Sequence, residues 1–462
     1  MSHTQNTISP IDGSVYVRRV LANPAEIKQA IEVSSHAQKN WAATALTERQ
    51  AICRKAIDAL LMEKEHIGLE LCWQMGRPVK FAKGELDGLA ERALYMIEQS
   101  ESALAPISLP EKEGFTRYIT REPLGVAFVI APWNYPYLTS INSIVPALLA
   151  GNSVILKHSA QTPLCAERLV AAFHTAGLPE GVFQYLHLSH DDTQEIIQSE
   201  QVNYVAFTGS VQGGAHIERA AAGRFIGVGL ELGGKDPAYV RADADLDQAV
   251  ETTIDGAFFN SGQSCCGIER IYVHSNVYQQ FVEKAVDLVK QYRLGRPDDP
   301  ETTIGPVVRT QAADFVRGQI NEAVEQGATA HIDEALFENS KSGTPYLAPQ
   351  LLTNVDHSMR VMTEESFGPV VGIMKIDDDQ QAVELMNDSD FGLTASIFTK
   401  DVDEGVRLGQ QVNTGTFFIN RCDYLDPALA WTGVKQSGRG CTLSQLGFDA
   451  LTRPKSFHIK HK

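Results

Sequence analysis

Apolar residues recur every three or four positions between charged ones from residue 24 to residue 105, as in "PAEIKQAIEVSSHAQKNWAA" and "LTERQAICRKAIDALLMEKEHIGLELCWQMG". This spacing gathers the apolar side chains on one face of a helix, so the stretch is predicted to be helical. At "TRYITREPLGVAFVIAPW" the pattern changes to β-branched and aromatic residues bounded by Pro and Gly. That change favours strands.

Strand-like and helix-like segments then alternate. The predicted strands "VAFVIAP", "SVILK", "VFQYLHL" and "VNYVAFTGS" are separated by helical "SIVPALLAG", "PLCAERLVAAFHTAG" and "DTQEIIQSE". This order predicts an α/β fold with a Rossmann-like, doubly wound parallel sheet and a cofactor crevice at the carboxyl ends of its strands. A second α/β stretch follows "GVGLELGGK", and the tail "DALTRPKSFHIKHK" predicts a terminal strand that docks on another subunit.

Composition narrows the function classes. The chain has 462 residues, enough for two or three domains, and its net charge of −17 argues against nucleic acid or an anionic membrane as the main partner. The start "MSHTQNTISP" lacks the order of a signal peptide, and no apolar run reaches the roughly 20 residues that span a bilayer. Its 7 cysteines lack the spacing of a disulfide framework or a zinc site, so we expect free thiols, no metal and a cytoplasmic protein.

Four short motifs carry candidate chemistry. In "FTGSVQGG", Gly209 and Gly214 lie between a predicted strand and a helix, where free backbone N–H groups and the helix dipole can bind a pyrophosphate. Glycines also punctuate ordinary strand-to-helix turns. In "LELGGK", Glu231 ends a strand, and a carboxylate among apolar neighbours would have a raised pKa and serve as a base. A solvated glutamate at a strand end is the alternative.

The other two motifs are "APWNYP" and "GQSCCG". A turn fixed by two prolines can hold the Asn134 amide where a negative oxygen develops, although turn asparagines are common. Cys265 and Cys266 lie between a helix and a strand. An isolated cysteine is usually a packing residue, but a thiol near a base and an amide donor is the arrangement for covalent catalysis on a carbonyl.

These motifs together resemble those of the NAD(P)-dependent aldehyde dehydrogenase superfamily. The segments "PWNYP", "ILKHSAQTP", "FTGSVQGG", "LELGGKDP", "FFNSGQSC", "TEESFGP", "NDSDFGL" and "GVKQSG" occur in the family's order over nearly the whole chain. The resemblance implies that Cys265 is the nucleophile, that Asn134 stabilises the oxyanion, and that Glu231 activates the water that hydrolyses a thioester. Cys266 matches a position without a chemical role.

The resemblance also implies the cofactor, NAD or NADP, and the residues that would bind it. Lys157 would hold the adenosine ribose, Ser210 the pyrophosphate, Glu365 the nicotinamide ribose, and Leu232 the carboxamide. The remaining cofactor positions are Gly209, Gly214, Phe367 near the nicotinamide, and Trp133, which would lie near the cofactor's path or pack the turn.

Three departures from the family's pattern bear on specificity. Ala160 stands where many NAD-preferring relatives have Glu, and His158 replaces the usual Pro, so NADP should be accepted as well as NAD. Thr442 replaces a Glu proposed to assist proton relay, so Glu231 is expected to act without that partner. Asn142 replaces an Arg that often binds the distal carboxylate of semialdehydes, and Arg421 is the alternative for that role.

The substrate mouth is otherwise predicted to be aromatic, with Tyr135 and Trp431 lining it and Tyr137 and Tyr424 nearby. We therefore expect an uncharged aliphatic or aromatic aldehyde; a semialdehyde or, given Asp423 and Asp426, an aminoaldehyde are the alternatives. Rival classes are a CoA-acylating relative and a catalytically silent binding or structural member of the fold.

The resemblance implies a homodimer or homotetramer built from three parts. These are a dinucleotide-binding domain with N-terminal helices over 1–107 and 125–233, a catalytic domain over 234–436, and a small β oligomerisation element over 108–124 and 437–462.

Overall fold

The computed structural model of the protein describes residues 4–461. Residues 1–3 of the predicted cofactor domain and residue 462 of the predicted oligomerisation element lie outside this range. Within it, sheets of seven, six and three strands carry the architecture. No helix of residues 4–461 is long and apolar enough to cross a membrane.

The first part of the chain is a hairpin followed by helices, which confirms the helical prediction for residues 24–105. The bounds are β1 (Thr4–Ile8), β2 (Val15–Val20), α1 (Pro24–Ala43), α2 (Leu46–Met62), α3 (Lys64–Met75), α4 (Val79–Ala82), α5 (Gly84–Leu104), β3 (Ile107–Ser108) and β4 (Phe115–Pro123). Asn23 and Glu26 form a capping box at the start of α1, which satisfies its first free N–H groups. Gly76 ends α3 at φ 88°, a conformation that glycine adopts without strain.

The six-stranded sheet confirms the predicted doubly wound topology. Its elements are β5 (Val126–Ala131), α6 (Pro136–Ala150), β6 (Ser153–His158), α7 (Pro163–Thr175), β7 (Phe183–Tyr185), α8 (His190–Gln198), β8 (Val202–Thr208), α9 (Val211–Ala221) and β9 (Gly227–Glu231). The parallel strands lie in the order β9-β8-β5-β6-β7. All six residues of β5 are buried because helices cover both faces of the sheet. The strand order reverses beside β5, so the carboxyl ends of β5 and β8 border the cofactor crevice.

The seven-stranded sheet forms a second α/β unit. Its segment contains β10 (Asp236–Val240), α10 (Leu246–Phe258), β11 (Ile268–His274), α11 (Tyr278–Val289), α12 (Thr310–Glu325), β12 (Thr329–Ala330), β13 (Gln350–Thr353), α13 (Arg360–Thr363), β14 (Val370–Ile376), α14 (Asp379–Asn387), β15 (Phe391–Gly392), β16 (Thr394–Phe398), α15 (Val402–Gly409) and β17 (Thr416–Ile419). The order is β12-β13-β14-β11-β10-β16-β17, and only β12 is antiparallel to its neighbour.

The C-terminal segment contributes to several units at once. It contains β18 (Val434–Lys435), β19 (Gly438–Arg439) and β20 (Thr452–Lys460). The predicted terminal strand is confirmed, because β20 pairs with β4 in the three-stranded sheet. However, β19 joins the edge of the six-stranded sheet beside β9, and Phe448 and Leu451 pack into the core of the N-terminal helices. The predicted domain bounds stay a prediction.

Candidate active site

A cavity of about 340 Å³ lies where α5, α6, the end of β9 and the loop before β11 meet. Five residues predicted from the sequence to act in catalysis or substrate binding line it, although they are far apart in the chain. They are Cys265, Glu231, Tyr135, Asn142 and Trp431. The cavity therefore joins a thiol, a carboxylate and aromatic surface in one space.

Cys265 lies in a turn that a strained segment holds in place. Between α10 and β11, Asn260 and Ser261 adopt φ values of 54° and 58°, which are uncommon for residues other than glycine. The Asn260 side chain donates hydrogen bonds to the carbonyls of Asn134 (3.3 Å) and Gln263 (3.2 Å), and the Ser261 hydroxyl donates to the Gly305 carbonyl (2.8 Å). These bonds fix the path of the chain into the half-buried Cys265.

Cys266 occupies a different environment from its neighbour. It is 4% exposed, and its thiol donates to the Asp423 carboxylate at 3.0 Å. A hydrogen bond with the Cys265 side chain and burial raise the pKa of Cys266 well above its ordinary value. Because the thiolate is the reactive form of cysteine, this environment favours a structural role for Cys266.

Glu231 is held by two threonine hydroxyls at the end of β9. Thr442 donates to one carboxylate oxygen at 2.6 Å and Thr208 donates to the other at 2.9 Å. Burial raises the pKa of Glu231, while both hydroxyls and the charge of Arg92 act in the opposite direction. A carboxylate with a raised pKa and a fixed orientation is suited to act as a general base.

The sequence predicted that Glu231 acts without the family's glutamate, but it did not predict that Thr442 itself is a hydrogen-bond partner of Glu231. The pairing of β19 with β9 carries the C-terminal segment past Glu231. Thr442 then exchanges backbone hydrogen bonds with Trp431 at 2.8 and 2.9 Å, which places the Thr442 hydroxyl on the carboxylate. The family's glutamate is replaced here by a short, neutral hydrogen-bond donor.

Asn134 is buried, and its amide nitrogen donates to the Gln263 carbonyl at 3.2 Å, beside the Cys265 loop. The backbone carbonyl of Asn134 accepts a hydrogen bond from Arg77, which forms a fully buried ion pair with Glu85. The sequence interpretation missed this pair, because charged residues at the ends of helices are usually solvated. Its presence fixes the turn that carries the Asn134 amide.

The predicted phosphate-binding residues lie at the carboxyl edge of the six-stranded sheet. Ser210 is exposed and caps α9, accepting from the Gly213 N–H at 3.1 Å. A Cβ atom on Gly214 would lie 2.6 Å from Leu232, and one on Gly209 would lie 2.7 Å from the Phe207 ring. The glycines thus allow α9 to approach the sheet, and its free N–H groups face the crevice edge where an anion is stabilised.

Lys157 is nearby, at the end of β6. Burial lowers the pKa of Lys157, and within residues 4–461 its ammonium donates only to the His158 carbonyl, at 3.4 Å. The imidazole of His158 is buried between the Pro136 carbonyl (3.2 Å) and the Thr162 hydroxyl (3.0 Å), and burial lowers its pKa to about 3. His158 is therefore a neutral structural residue, whereas Ala160 is exposed.

The predicted nicotinamide residues surround the beginning of β10. Glu365 accepts from the Gly234 N–H at 2.9 Å, and burial raises its pKa to about 7. Phe367, at φ 51°, lies edge-on to Trp133 with the ring centroids 5.6 Å apart. The Leu232 N–H donates to the Ser437 carbonyl at 3.0 Å. Their carboxylate, aromatic and backbone groups are of the kinds that a nicotinamide riboside requires.

Two predicted substrate residues lie elsewhere. Arg421 is exposed, and its guanidinium lies 3.8 Å from the centre of the Tyr424 ring. Within residues 4–461, Arg421 is not part of the cavity lining. Tyr137 is buried in the core of the N-terminal helices, because its position on α6 faces them. Tyr424 does line the cavity, and so does Asp423, which the sequence offered for an aminoaldehyde substrate. Arg92 also lines the cavity, and the sequence did not predict it.

Comparisons with known proteins place these features in context. Residues 1–457 match the sequence model of the "Aldehyde dehydrogenase family". The chain is 34% identical to the succinate-semialdehyde dehydrogenase [NADP(+)] of Deinococcus radiodurans, over 99% of this chain and 95% of that protein. It is 31% identical to the succinate semialdehyde dehydrogenase [NAD(P)+] Sad of Escherichia coli, over 96% and 95%. A crystal structure of succinic semialdehyde dehydrogenase from Streptococcus pyogenes in complex with NADP+ superposes with a TM-score of 0.94 at 28% identity, covering 99% of this chain and 100% of the other.

Proposed function

Because the chain belongs to the aldehyde dehydrogenase family and oxidises an aldehyde to a carboxylic acid, we propose that Cys265 and Glu231 carry the two steps of that reaction. The observation that supports this most directly is that the thiol and a hydroxyl-anchored carboxylate line one cavity. The Cys265 thiolate attacks the aldehyde carbon, and the carbonyl oxygen becomes an oxyanion. The Asn134 amide and the Cys265 N–H are the donors for that oxygen.

Loss of hydride from the tetrahedral carbon leaves a thioester on Cys265. A nicotinamide dinucleotide bound in the crevice supplies the acceptor for that hydride. Glu231 then takes a proton from water, the resulting hydroxide attacks the thioester, and the acid leaves as the Cys265 thiolate is restored. Deacylation by water accounts for an anchored carboxylate, which thiolysis by CoA does not require.

The crevice has groups that fit such a cofactor. The N–H groups at the start of α9 and the Ser210 hydroxyl suit a pyrophosphate, and the Lys157 ammonium suits ribose hydroxyls or a phosphate. We propose that both NAD and NADP are used. The name of the Escherichia coli relative gives both cofactors for that protein, and the name of the Deinococcus radiodurans relative gives NADP+. Ala160 supports this, because no carboxylate stands there to repel a 2′-phosphate.

The exposed edge of the three-stranded sheet supports a homodimer or homotetramer. Strand β20 lies at the edge of the three-stranded sheet, and most of its residues are exposed. An exposed strand edge is a template for pairing with another chain. We propose that this edge docks on a second copy of the protein in the cytoplasm, with neither nucleic acid nor membrane as a partner.

The experiment that tests the catalytic roles compares two neighbouring thiols. Cys265→Ala should abolish aldehyde oxidation while NAD(P) binding, measured by fluorescence titration, stays nearly intact. Cys266→Ala is the matched control and should retain oxidation. Exchange of the two phenotypes would refute the assignment, and absence of activity in the unaltered protein with every aldehyde would favour a catalytically silent member of the fold.

Glu231→Gln tests the second step separately. The amide cannot accept the proton of water, so rapid mixing should show a burst of NAD(P)H followed by slow turnover. Loss of the burst itself would instead place Glu231 in the activation of the thiol.

A further inference from the structure

Two helices form one wall of the cavity. The residues of α5 that line the cavity repeat with helical spacing and are Gly84, Glu85, Gly88, Glu91 and Arg92. On α6 and the residue before it they are Tyr135, Leu138, Thr139 and Asn142. A Cβ atom on Gly88 would lie 2.6 Å from the Leu138 side chain, so this glycine allows the helices to approach closely. One turn later, the approach brings Arg92 beside Asn142.

Arg92 is a buried cation that has no anionic partner in the part of the chain that the structure describes. It is 8% exposed, and its guanidinium donates to the Leu138 carbonyl at 2.9 Å and to the Asn142 side-chain oxygen at 3.4 Å. None of the ion pairs found within residues 4–461 includes Arg92; Glu85, the nearby acid with the greatest effect on it, is paired with Arg77. Burial lowers the pKa of Arg92, which reflects the missing compensation. An unpaired charge in such a site is costly unless a ligand supplies the counter-charge.

Asn142 contributes a second unused donor to the same cavity. It is 1% exposed, and its side-chain nitrogen has no hydrogen-bond partner among the residues that the structure describes. The contact of its side-chain oxygen with the Arg92 guanidinium identifies the other atom as the N–H donor. Buried polar groups of this kind are normally satisfied, so the exception calls for an acceptor.

Four of the five acids that line the cavity differ from these donors because each already has a partner. Glu231 accepts from two threonine hydroxyls, Glu85 is paired with Arg77, and Glu91 accepts from the Tyr424 hydroxyl at 2.5 Å. Asp423 accepts from the Cys266 thiol at 3.0 Å. The fifth acid, Asp255, has no ion pair within residues 4–461, and burial, which favours its neutral form, raises its pKa. The unsatisfied donors of Arg92 and Asn142 therefore require an acceptor that carries negative charge.

We propose that Arg92 and Asn142 bind a carboxylate at the far end of the aldehyde, so that the substrates of this enzyme are semialdehydes of dicarboxylic acids. The inference rests on the proposed function of the cavity and specifies its substrate class. A guanidinium and an amide N–H can both donate to one carboxylate, and the guanidinium supplies a charge that neutral aldehydes cannot use.

This assignment departs from the expectation of an uncharged substrate. That expectation depended on the aromatic lining and on Asn142, which occupies the position where semialdehyde-oxidising relatives often have Arg. The structure shows that a guanidinium reaches Asn142 from the neighbouring helix α5 instead. A cation at the corresponding part of the cavity is thus retained, although it comes from a different part of the chain.

A different role for Arg92 would have a distinct signature. The negative charges of Glu85, of Glu231 and of a Cys265 thiolate are close enough to raise the pKa of Arg92, against the larger effect of burial. If Arg92 served only to stabilise the Cys265 thiolate, its removal would slow all aldehydes alike. If it binds the substrate's carboxylate, the loss depends on whether the aldehyde carries one.

The test compares 4-oxobutanoate with its methyl ester, which has the same chain but no charge. For the unaltered enzyme, kcat/KM should be at least about 10-fold higher for the acid. Arg92→Gln should lower the acid-to-ester ratio of kcat/KM by about 10- to 100-fold, mainly through KM for the acid. Arg421→Gln removes an equal charge outside the cavity and is the matched control; it should leave the ratio unchanged.

A second variant keeps the test valid if Arg92→Gln does not fold. The exchange Arg92→Asn with Asn142→Arg returns the guanidinium to the cavity from α6 and should restore most of the preference for 4-oxobutanoate. Equal kcat/KM for acid and ester in the unaltered enzyme, or an equal loss for both in Arg92→Gln, would overturn the proposal while the oxidation of aldehydes stands. Failure to oxidise either compound would instead count against the proposed function.

Discussion

Replacing Thr442 with valine removes one hydroxyl from the Glu231 carboxylate while keeping nearly the same side-chain volume. Thr442 donates to Glu231 at 2.6 Å, and this bond favours the ionised form of the acid. Without it, burial is opposed only by Thr208 and the charge of Arg92, so the pKa of Glu231 should rise further. The prediction follows from the geometry at the base and does not depend on the identity of the aldehyde.

The size of the effect follows from the energy of one hydrogen bond. A hydrogen bond to a charged group contributes about 1.5–3 kcal/mol, and about 1.4 kcal/mol corresponds to a tenfold change in a protonation equilibrium. The acid limb of the pH profile of kcat should therefore move upward by about one to two pH units. Turnover near neutral pH should fall because less Glu231 is ionised, and it should recover as the pH rises.

The shift of the acid limb is measured from steady-state kcat between acid and alkaline pH. Rapid mixing measures the burst of NAD(P)H in the same variants. The burst should persist in Thr442→Val, because hydride transfer precedes the step that needs the base. Thr442→Ser keeps a hydroxyl at this position and is the control; its acid limb should stay close to that of the unaltered enzyme. An acid limb that does not move in Thr442→Val would refute the role given to this hydrogen bond.

Three further outcomes are expected. Ala160→Glu should shift the ratio of kcat/KM toward NAD over NADP by about 1–3 kcal/mol, because the new carboxylate repels a 2′-phosphate near Lys157; an unmoved ratio would place the selector elsewhere. Arg77→Met leaves the buried carboxylate of Glu85 unpaired, so denaturant titration should show a loss of about 3–5 kcal/mol in the free energy of unfolding, and a loss near zero would contradict the buried pair. Burial raises the pKa of Asp423 to about 7, so this group makes the folded protein lose stability as pH rises from the ordinary range of a carboxyl through neutrality. Asp423→Asn should remove that loss, seen as a Tm advantage over the unaltered protein that grows with pH and levels off above neutrality; a pH-independent difference would count against it.

Much of the fold could be predicted because its signals are local. Three-to-four spacing of apolar residues over 24–105 and the continuous apolar run of β5 each reflect how one segment is buried, and both predictions match the structure. The short strand β19 was missed, because a two-residue strand has no periodicity and pairs only through the edge of β9. Its pairing is nonetheless what carries Thr442 to Glu231.

The residues of the candidate site likewise fall into those that local motifs indicate and those that only tertiary packing brings to the site. The chain's motifs drew attention to Cys265, Glu231 and Asn134, because a nucleophile, a base and an amide donor are chemically distinctive at turns and strand ends. Arg92 gave no such signal, since an arginine on an amphipathic helix usually lies in solvent, and only the close packing of α5 on α6 turns it toward Asn142.

The sequence by itself determined the class of fold and the reaction chemistry, because both depend on residue types and spacings within short segments. Only the tertiary structure decided which groups share the cavity, which of them are already satisfied, and which remain without a partner. Hydrogen bonding and charge compensation are properties of neighbours in space: Thr442 meets Glu231 across 211 residues of chain, and Arg92 meets Asn142 across 50. The proposed substrate preference and the protonation state of the proposed base therefore depend on contacts that no local pattern in the chain expresses.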